Sequence, residues 1–351
     1  MRIFNAMKYL LAIALFCSCA NITPLSGGDK DTTPPVLLNI SPPNESILFD
    51  AKEIVMTFDE SITISSSEKA TISPTINGTV NTRTNRNKLI ITFSDSLSKN
   101  TTYCVGLNSL VKDLNEGNEI KQLAYSFSTG LNLDTLYIRG TIVDALTLKP
   151  INDVMVGLFP FKQVIDSIVY KERPKYLTKS LENGFFLFSN LPNEQFALFA
   201  LEDLDNNNRF TLPQERVGFV TESITPNIDS VGVLLFDQTY VADTIKPLVT
   251  DSSMNDFGFL RVDSLPKTGL IAQLLRNNVV AYESSNTSPL IVDSLPAGTY
   301  SFRIIFDDNN NGQWDTGQLI TKTLPEKIVN YKEPIEIRTN WDLNIIWQAI
   351  E

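Results

Sequence analysis

Apolar and polar residues alternate along most of this chain in short runs. In "EIVMTFDE", "KLIITFSDSL", "TTYCVGL" and "AYSFSTG" every second side chain falls on one face, and Asn, Gly, Ser and Pro stand between the runs. A period of two makes a half-buried strand, whereas a helix needs apolar residues three and four apart. The texture continues through "LYIRGTIVDALTLKPINDVMVGLFP", "YSFRIIF" and "PIEIRTNWDLNIIWQ". Regularly spaced short strands with turn residues between them, and no competing helical period, predict an all-β chain of β-sandwiches. Tyr103 and Phe127 are expected in the first core, with Cys104 beside them as a small buried strand residue. Trp341 and Trp347 are expected to pack in the last.

The opening residues break this pattern. "MRIFNAMKYLLAIALFCSCA" carries Arg2 and Lys8 ahead of an apolar run from Tyr9 to Cys17, then Ser18 and Cys19. That is the anatomy of a secretory signal, too short to stay in a bilayer as a spanning helix. It resembles a bacterial lipoprotein signal, in which a small residue precedes the cysteine that is acylated; the resemblance implies removal of residues 1–18 and a lipid on Cys19. Phe16 and Cys17 depart from the Leu and small residue usual there. Residues 19–35, rich in Thr, Gly and Pro, are expected to tether that lipid to the first domain. In lipoproteins of Bacteroidetes type, acidic residues directly behind the cysteine favour the cell surface; here the first is Asp29, so the resemblance implies an outer-membrane anchor facing the periplasm. With Cys19 lipidated, Cys104 has no partner for an intrachain disulfide.

Three sandwiches are expected, at residues 36–130, 131–242 and 243–351. The first resembles the bacterial Ig-like domain first described in S-layer proteins, through Pro34-Pro35, Ser41-Pro42, Thr57-Phe58, Asn100 to Tyr103, Asp113 with Asn115, and the closing Phe127-Ser128-Thr129-Gly130. The second resembles the carboxypeptidase regulatory-like, or transthyretin-like, sandwich, through Gly140 to Val143, Pro150 to Val156, Thr178 to Phe186 and Leu191 to Phe196; Glu194 replaces the usual Gly. The third is predicted from a repeat. "NLPNEQFALFALEDLDNNNRF" and "SLPAGTYSFRIIFDDNNNGQW" align without a gap, matching Leu191 with Leu295, Phe196 with Tyr300, Asp203 with Asp307, Asn207 with Asn311, and Phe210 with Trp314. "GFLRVDSLPKTGLIAQLL" is matched to the start of the second sandwich.

The repeat ends in a loop with cation-ligand order. Asp307, Asn309, Asn311 and Asp315 supply oxygens at the first, third, fifth and ninth places, Gly312 turns the chain at the sixth, and the Gln313 carbonyl fills the seventh, as in a calcium loop. Gln318 stands where a bidentate Glu is usual, and a strand precedes the loop, so it is no EF-hand. The second copy offers Asp203, Asp205 and Asn207, with Asn208 for Gly and Glu215 one place late. The same residues also make Asx-turns that need no ion. If these loops bind, the ion is weak, structural calcium, on the order of 0.1–1 mM; no other cofactor is implied. Asp-Ser or Asp-Thr before an aliphatic residue recurs at Asp95, Asp134, Asp166, Asp229, Asp243, Asp263 and Asp293, similar to an O-glycosylation sequon of exported Bacteroidetes proteins; strand-entry turns explain the pattern equally.

Charge and composition narrow the function classes. A net charge of -11 repels nucleic acid. The chain contains no His, which removes Ser-His and Cys-His nucleophiles and imidazole bases. Asp59 and Glu60 are adjacent on a strand and so face opposite ways. The sequence reads as a non-enzymatic envelope lipoprotein with a structural or binding role, held at the membrane by its lipid and meeting an envelope protein or glycan. Two readings stand beside it: a carbohydrate- or peptidoglycan-binding accessory protein, for which Trp314 at a loop tip is the aromatic of interest, and a carboxylate-dependent hydrolase.

Overall fold

A computed structural model describes residues 30–161, 168–241 and 256–347. Cys19, the signal 1–18, most of the tether, Asp166, Asp243 and the expected start of the third sandwich lie outside the described residues. No helix among the described residues is long and apolar enough to cross a membrane.

The first sandwich sets a sheet of β1 (Leu37–Ser41), β2 (Glu53–Phe58), β5 (Val80–Asn85) and β6 (Lys88–Phe93), in the order β1-β2-β6-β5, against β4 (Thr71–Ser73), β7 (Thr102–Gly106) and β9 (Ala124–Ser128). A ribbon of β3 (Ile62–Ile64) and β8 (Val111–Asp113) completes it. Alternation does the folding: Ile54, Met56 and Phe58 of β2 are buried while Glu53, Val55 and Thr57 are not. Phe127 sits at the centre of the core, its ring 4.1 to 5.9 Å from those of Phe49, Tyr103, Tyr125 and Phe93. Cys104 is half-buried, and burial pushes its thiol up.

The second and third sandwiches share one topology. β10 (Leu136–Asp144) lies between β13 (Phe185–Leu191), antiparallel, and β16 (Ile228–Leu235), parallel. Opposite stand β12 (Tyr176–Lys179), β11 (Met155–Pro160), β14 (Phe196–Leu201) and β15 (Val217–Phe219), with a single-turn α1 (Ile168–Lys171) after β11. In the third, β17 (Phe257–Asp263) lies between β20 (Leu290–Pro296), antiparallel, and β24 (Asp342–Ile346), parallel. Its opposing sheet is β19 (Val279–Ser285), β18 (Leu270–Arg276), β21 (Gly298–Phe306) and β22 (Ile328–Asn330), with β23 (Ile335–Ile337) also on β21. Gly140 and Gly258 each mark a crowded spot in their central strand, at different heights: aligned through Leu191 and Leu295, Gly258 matches Leu136 and Gly140 matches Val262. A Cβ would lie 2.1 Å from the Val231 carbonyl oxygen in one and 2.5 Å from that of Arg338 in the other.

The two joints between sandwiches differ in kind. The first is polar: the Thr75 amide and hydroxyl donate to the Lys175 and Pro174 carbonyls, the Leu177 amide to Ser73 Oγ, and Ser126 Oγ to Asn190 Oδ1. The second is apolar. Met155, Phe159, Leu201, Phe210, Val217, Phe219 and Phe236 of the second sandwich form one buried cluster with Ile271, Ile305, Trp314, Leu319 and Ile328 of the third.

The tryptophans correct the sequence reading. Trp347 packs as expected, 7% exposed and 5.5 Å edge-on to Phe302. Trp341 does not: it is 60% exposed, because it belongs to the turn ahead of β24, where its amide donates to the Arg338 carbonyl. Trp314 is no loop tip; it is 8% exposed within the joint.

Candidate functional site

The two Asp/Asn loops follow β14 and β21, the equivalent strands of the second and third sandwiches, and are built alike. Asp203 accepts the amides of Asn207 and Asn208 at 3.1 and 2.8 Å. Asp307 accepts those of Asn311 and Gly312 at 3.0 and 2.9 Å. Each loop needs two left-handed residues, Asn206 and Asn208 in one, Asn310 and Gly312 in the other, and Asn and Gly tolerate that conformation where branched residues do not.

A glutamate closes each loop from further along the chain. Glu215 is buried and accepts the amides of Leu204, Thr211 and Leu212. Glu326 is buried and accepts those of Asp308 and Asp315 at 2.9 and 3.0 Å. Leu204 and Asp308 occupy the second place of their loops, Thr211 and Asp315 the ninth, so the two carboxylates bridge the same pair of backbone positions. Sequence spacing found Glu215, displaced by one; Glu326 enters ahead of β22, outside any local motif, and only the fold reveals it.

Each loop then delivers one aromatic to the apolar joint. Phe210 and Trp314, aligned in the repeat, both enter the shared cluster. Trp314 donates its indole N–H to the Glu326 carbonyl at 3.0 Å and meets the Tyr240 ring edge-on at 5.2 Å.

The remaining loop oxygens are placed differently in the two copies. In the third sandwich Asn309 and Asn311 turn their side-chain amides to Asp315, at 2.5 and 2.8 Å, and Asn311 Oδ1 accepts the Gln313 amide. Asp315 is thereby partnered by neutral amides. In the second, Asp205 takes the Asn207 side-chain amide and the Thr211 hydroxyl, at 2.6 and 3.1 Å. There a carboxylate oxygen from each of Asp203, Asp205 and Glu215 lies within 4.8 Å of the other two. Burial holds the Asp203 carboxyl above the usual carboxylate range, against the pull of two backbone amides.

Elsewhere, Asp59 accepts the Val36 amide at 2.8 Å, a strand-end contact unconnected to Glu60. Asp113 gathers the amides of Glu116, Gly117 and Asn118 at 2.6 to 2.9 Å and fixes the turn after β8. At the described Asp-Ser and Asp-Thr pairs the hydroxyl residues Ser96, Thr135, Ser230, Ser264 and Ser294 are all exposed.

Residues 31–129 match the family described as the bacterial Ig-like domain, which accounts for the first sandwich. No curated protein matches the chain. Among solved structures it is similar to the N-terminal part of the bacterial S-layer protein SbsC, at 12% identity and TM-score 0.21, over 58% of this chain and 44% of that one. It is similar to fervidolysin from Fervidobacterium pennivorans, a keratinolytic enzyme related to subtilisin, at 12% identity and TM-score 0.21, over 53% and 28% of the two chains. It is also similar to BcpA, the major pilin subunit of Bacillus cereus, at 10% identity and TM-score 0.19, over 58% and 70%. The chain spans less than half the length of the first two.

Proposed function

We propose that this chain is a non-enzymatic envelope lipoprotein, held by a lipid on Cys19 to the periplasmic face of the outer membrane, whose joined sandwiches act as a spacer and present a surface to an envelope partner. The observation that supports this most is the pair of joints. Freely linked modules would leave their ends wet, but here Phe210, Phe236, Trp314 and Leu319 are buried between the second and third sandwiches. Burial of that kind fixes neighbours relative to one another. The test is metabolic labelling with a radioactive fatty acid, followed by membrane fractionation. Label on the wild type, and an unlabelled, soluble Cys19→Ala chain, is the expected result; label that persists without Cys19 would refute the anchor.

The Asp203 loop carries a second reading, a structural calcium. Three carboxylate oxygens within 4.8 Å repel one another, and a divalent cation among them would relieve that repulsion. The Asp307 loop has the fuller pattern in sequence, yet its Asn side chains supply hydrogen-bond donors where the second sandwich supplies charge. Calorimetric titration with calcium should therefore show saturable binding that is lost in Asp205→Asn and kept in Asp315→Asn. Protons compete for the same oxygens, so calcium's effect on melting should shrink as pH falls through the raised Asp203 value. Binding that disappears only with Asp315→Asn would assign the ion to the other loop.

A further inference from the structure

The third sandwich is less tightly covered than the second at one position along its parallel edge strand. In the second, Val231 and Val233 of β16 stand opposite Gly140 and Ile142 of β10 and are buried. Aligned through Leu191 and Leu295, Gly140 matches Val262, so Val231 corresponds to Ile345, which is only half-buried, and Val233 to the buried Trp347; Leu343, opposite Leu260, is half-buried like its counterpart Ile228. Beside Leu343 and Ile345, between β24 and the segment carrying β23, runs a groove of about 310 Å³, the size at which small-ligand pockets begin. Trp341 stands at its wall. In the second sandwich Asn227 leads directly into Ile228, which packs against the core; in the third, Asn340, whose amide donates to the Phe257 carbonyl, is followed by an indole 60% exposed two residues before Leu343, the counterpart of Ile228.

The lining restricts the ligand. Trp341 and Tyr331 offer aromatic surface, and Leu343 and Ile345 an apolar floor. Glu333, Glu336 and Arg338 ring it with acceptors and donors. Glu336 and Arg338 pair at 3.2 Å and neutralise one another, so the rim has both signs and little net charge. The surplus is the single exposed carboxylate of Glu333, which repels an acidic ligand and offers a basic one no more than a solvent-screened contact. A ligand with an apolar face for the indole and uncharged hydroxyls for the rim uses the whole lining, since an exposed aromatic ring suits a partner apolar on one side and polar at its edge and carboxylate and guanidinium groups make strong bonds to hydroxyls.

We propose that this groove binds an uncharged oligosaccharide, with one sugar ring stacked on Trp341 and its hydroxyls bonded to Glu333 and the Glu336–Arg338 pair. The inference goes beyond the spacer reading: it gives the distal sandwich a ligand of its own. Trp314 and Trp347 are buried, so a change in the emission of exposed tryptophan reports on Trp341.

The experiment is a fluorescence and calorimetric titration of the full chain with tri- and tetrasaccharides of glucose, mannose and N-acetylglucosamine, and with oligolysine and polygalacturonate as charged probes. Saturable quenching or a blue shift with at least one uncharged sugar is expected. It should vanish in Trp341→Ala, survive weakened in Trp341→Phe, and weaken about tenfold in Glu333→Gln, which loses one charge-assisted hydrogen bond. Both side chains are exposed, and a melting curve confirms that each variant folds. Silence with every uncharged sugar, preference for either charged probe, or sugar binding unchanged in Trp341→Ala would overturn the proposal. Any of these leaves the Cys19 anchor and the spacer reading untouched.

Discussion

Glu326 carries the most consequence of any single residue in the third sandwich. Its carboxylate bonds two loop amides, its amide donates to the Asp315 carbonyl, and its own carbonyl receives the Trp314 indole. Glu326→Ala leaves the Asp308 and Asp315 amides without their acceptor, which costs about 1–3 kcal/mol when such groups stay buried. Burial also holds the Glu326 carboxyl above its ordinary value. Folding then favours its protonated form, so the stability it lends is complete below the unfolded value and is lost as pH rises through the folded one. Urea melts across that range should show the Glu326→Ala penalty largest on the acid side. A penalty growing with pH would mean that the ionised form is the one the fold prefers.

At the level of elements, what was legible followed from whether the signal is local. Strand alternation is local, so the all-β chain and the core face of β2 could be read directly; β14 and the second half of β21 are buried on both faces, because the apolar joint covers the outer one. The Asp/Asn loops were visible for the same reason, down to the turn at Gly312; Asn208, read as a departure from Gly, adopts the same left-handed conformation. Their closing glutamates were legible only in part, because Glu215 arrives within the loop and Glu326 after a long excursion. Trp341 and Trp314 were misplaced because an aromatic residue at the end of a run looks the same whether it turns inward or outward; the neighbouring sandwich, absent from any local window, buries Trp314. Gly140 tests the element scale. Alanine there pushes a Cβ to 2.1 Å from the Val231 carbonyl oxygen, with the Phe186 ring 2.7 Å away. Backbone must shift between β10 and β16, and overpacking of this kind costs about 1–3 kcal/mol. Gly232, with nothing near its Cβ position, is the control. Hydrogen exchange should show faster opening of β16 in Gly140→Ala and no change in Gly232→Ala.

The molecule as a whole is predicted to unfold in two blocks, because its joints are unequal. The first joint rests on hydrogen bonds between strand edges, which exchange for water at little net cost. The second has a continuous apolar core and, within it, Arg303, which donates to the Leu146 carbonyl of the neighbouring sandwich and to Gln273 Oε1, both at 2.7 Å. Burial disfavours the charge of that guanidinium, so its hydrogen bonds are what make its position tolerable. Separating the second and third sandwiches would expose the shared cluster and strip the Leu146 bond together, so neither should melt without the other. Calorimetry should show one transition for residues 131–351 and a separate one for the Ig-like domain. Arg303→Ala removes the bridge across the joint and should split the shared transition, whereas Thr75→Ala, at the polar joint, should leave it single. A third independent transition in the unmodified chain would mean that the apolar joint does not couple its neighbours, and would weaken the spacer reading, which needs force applied at one end to reach the other.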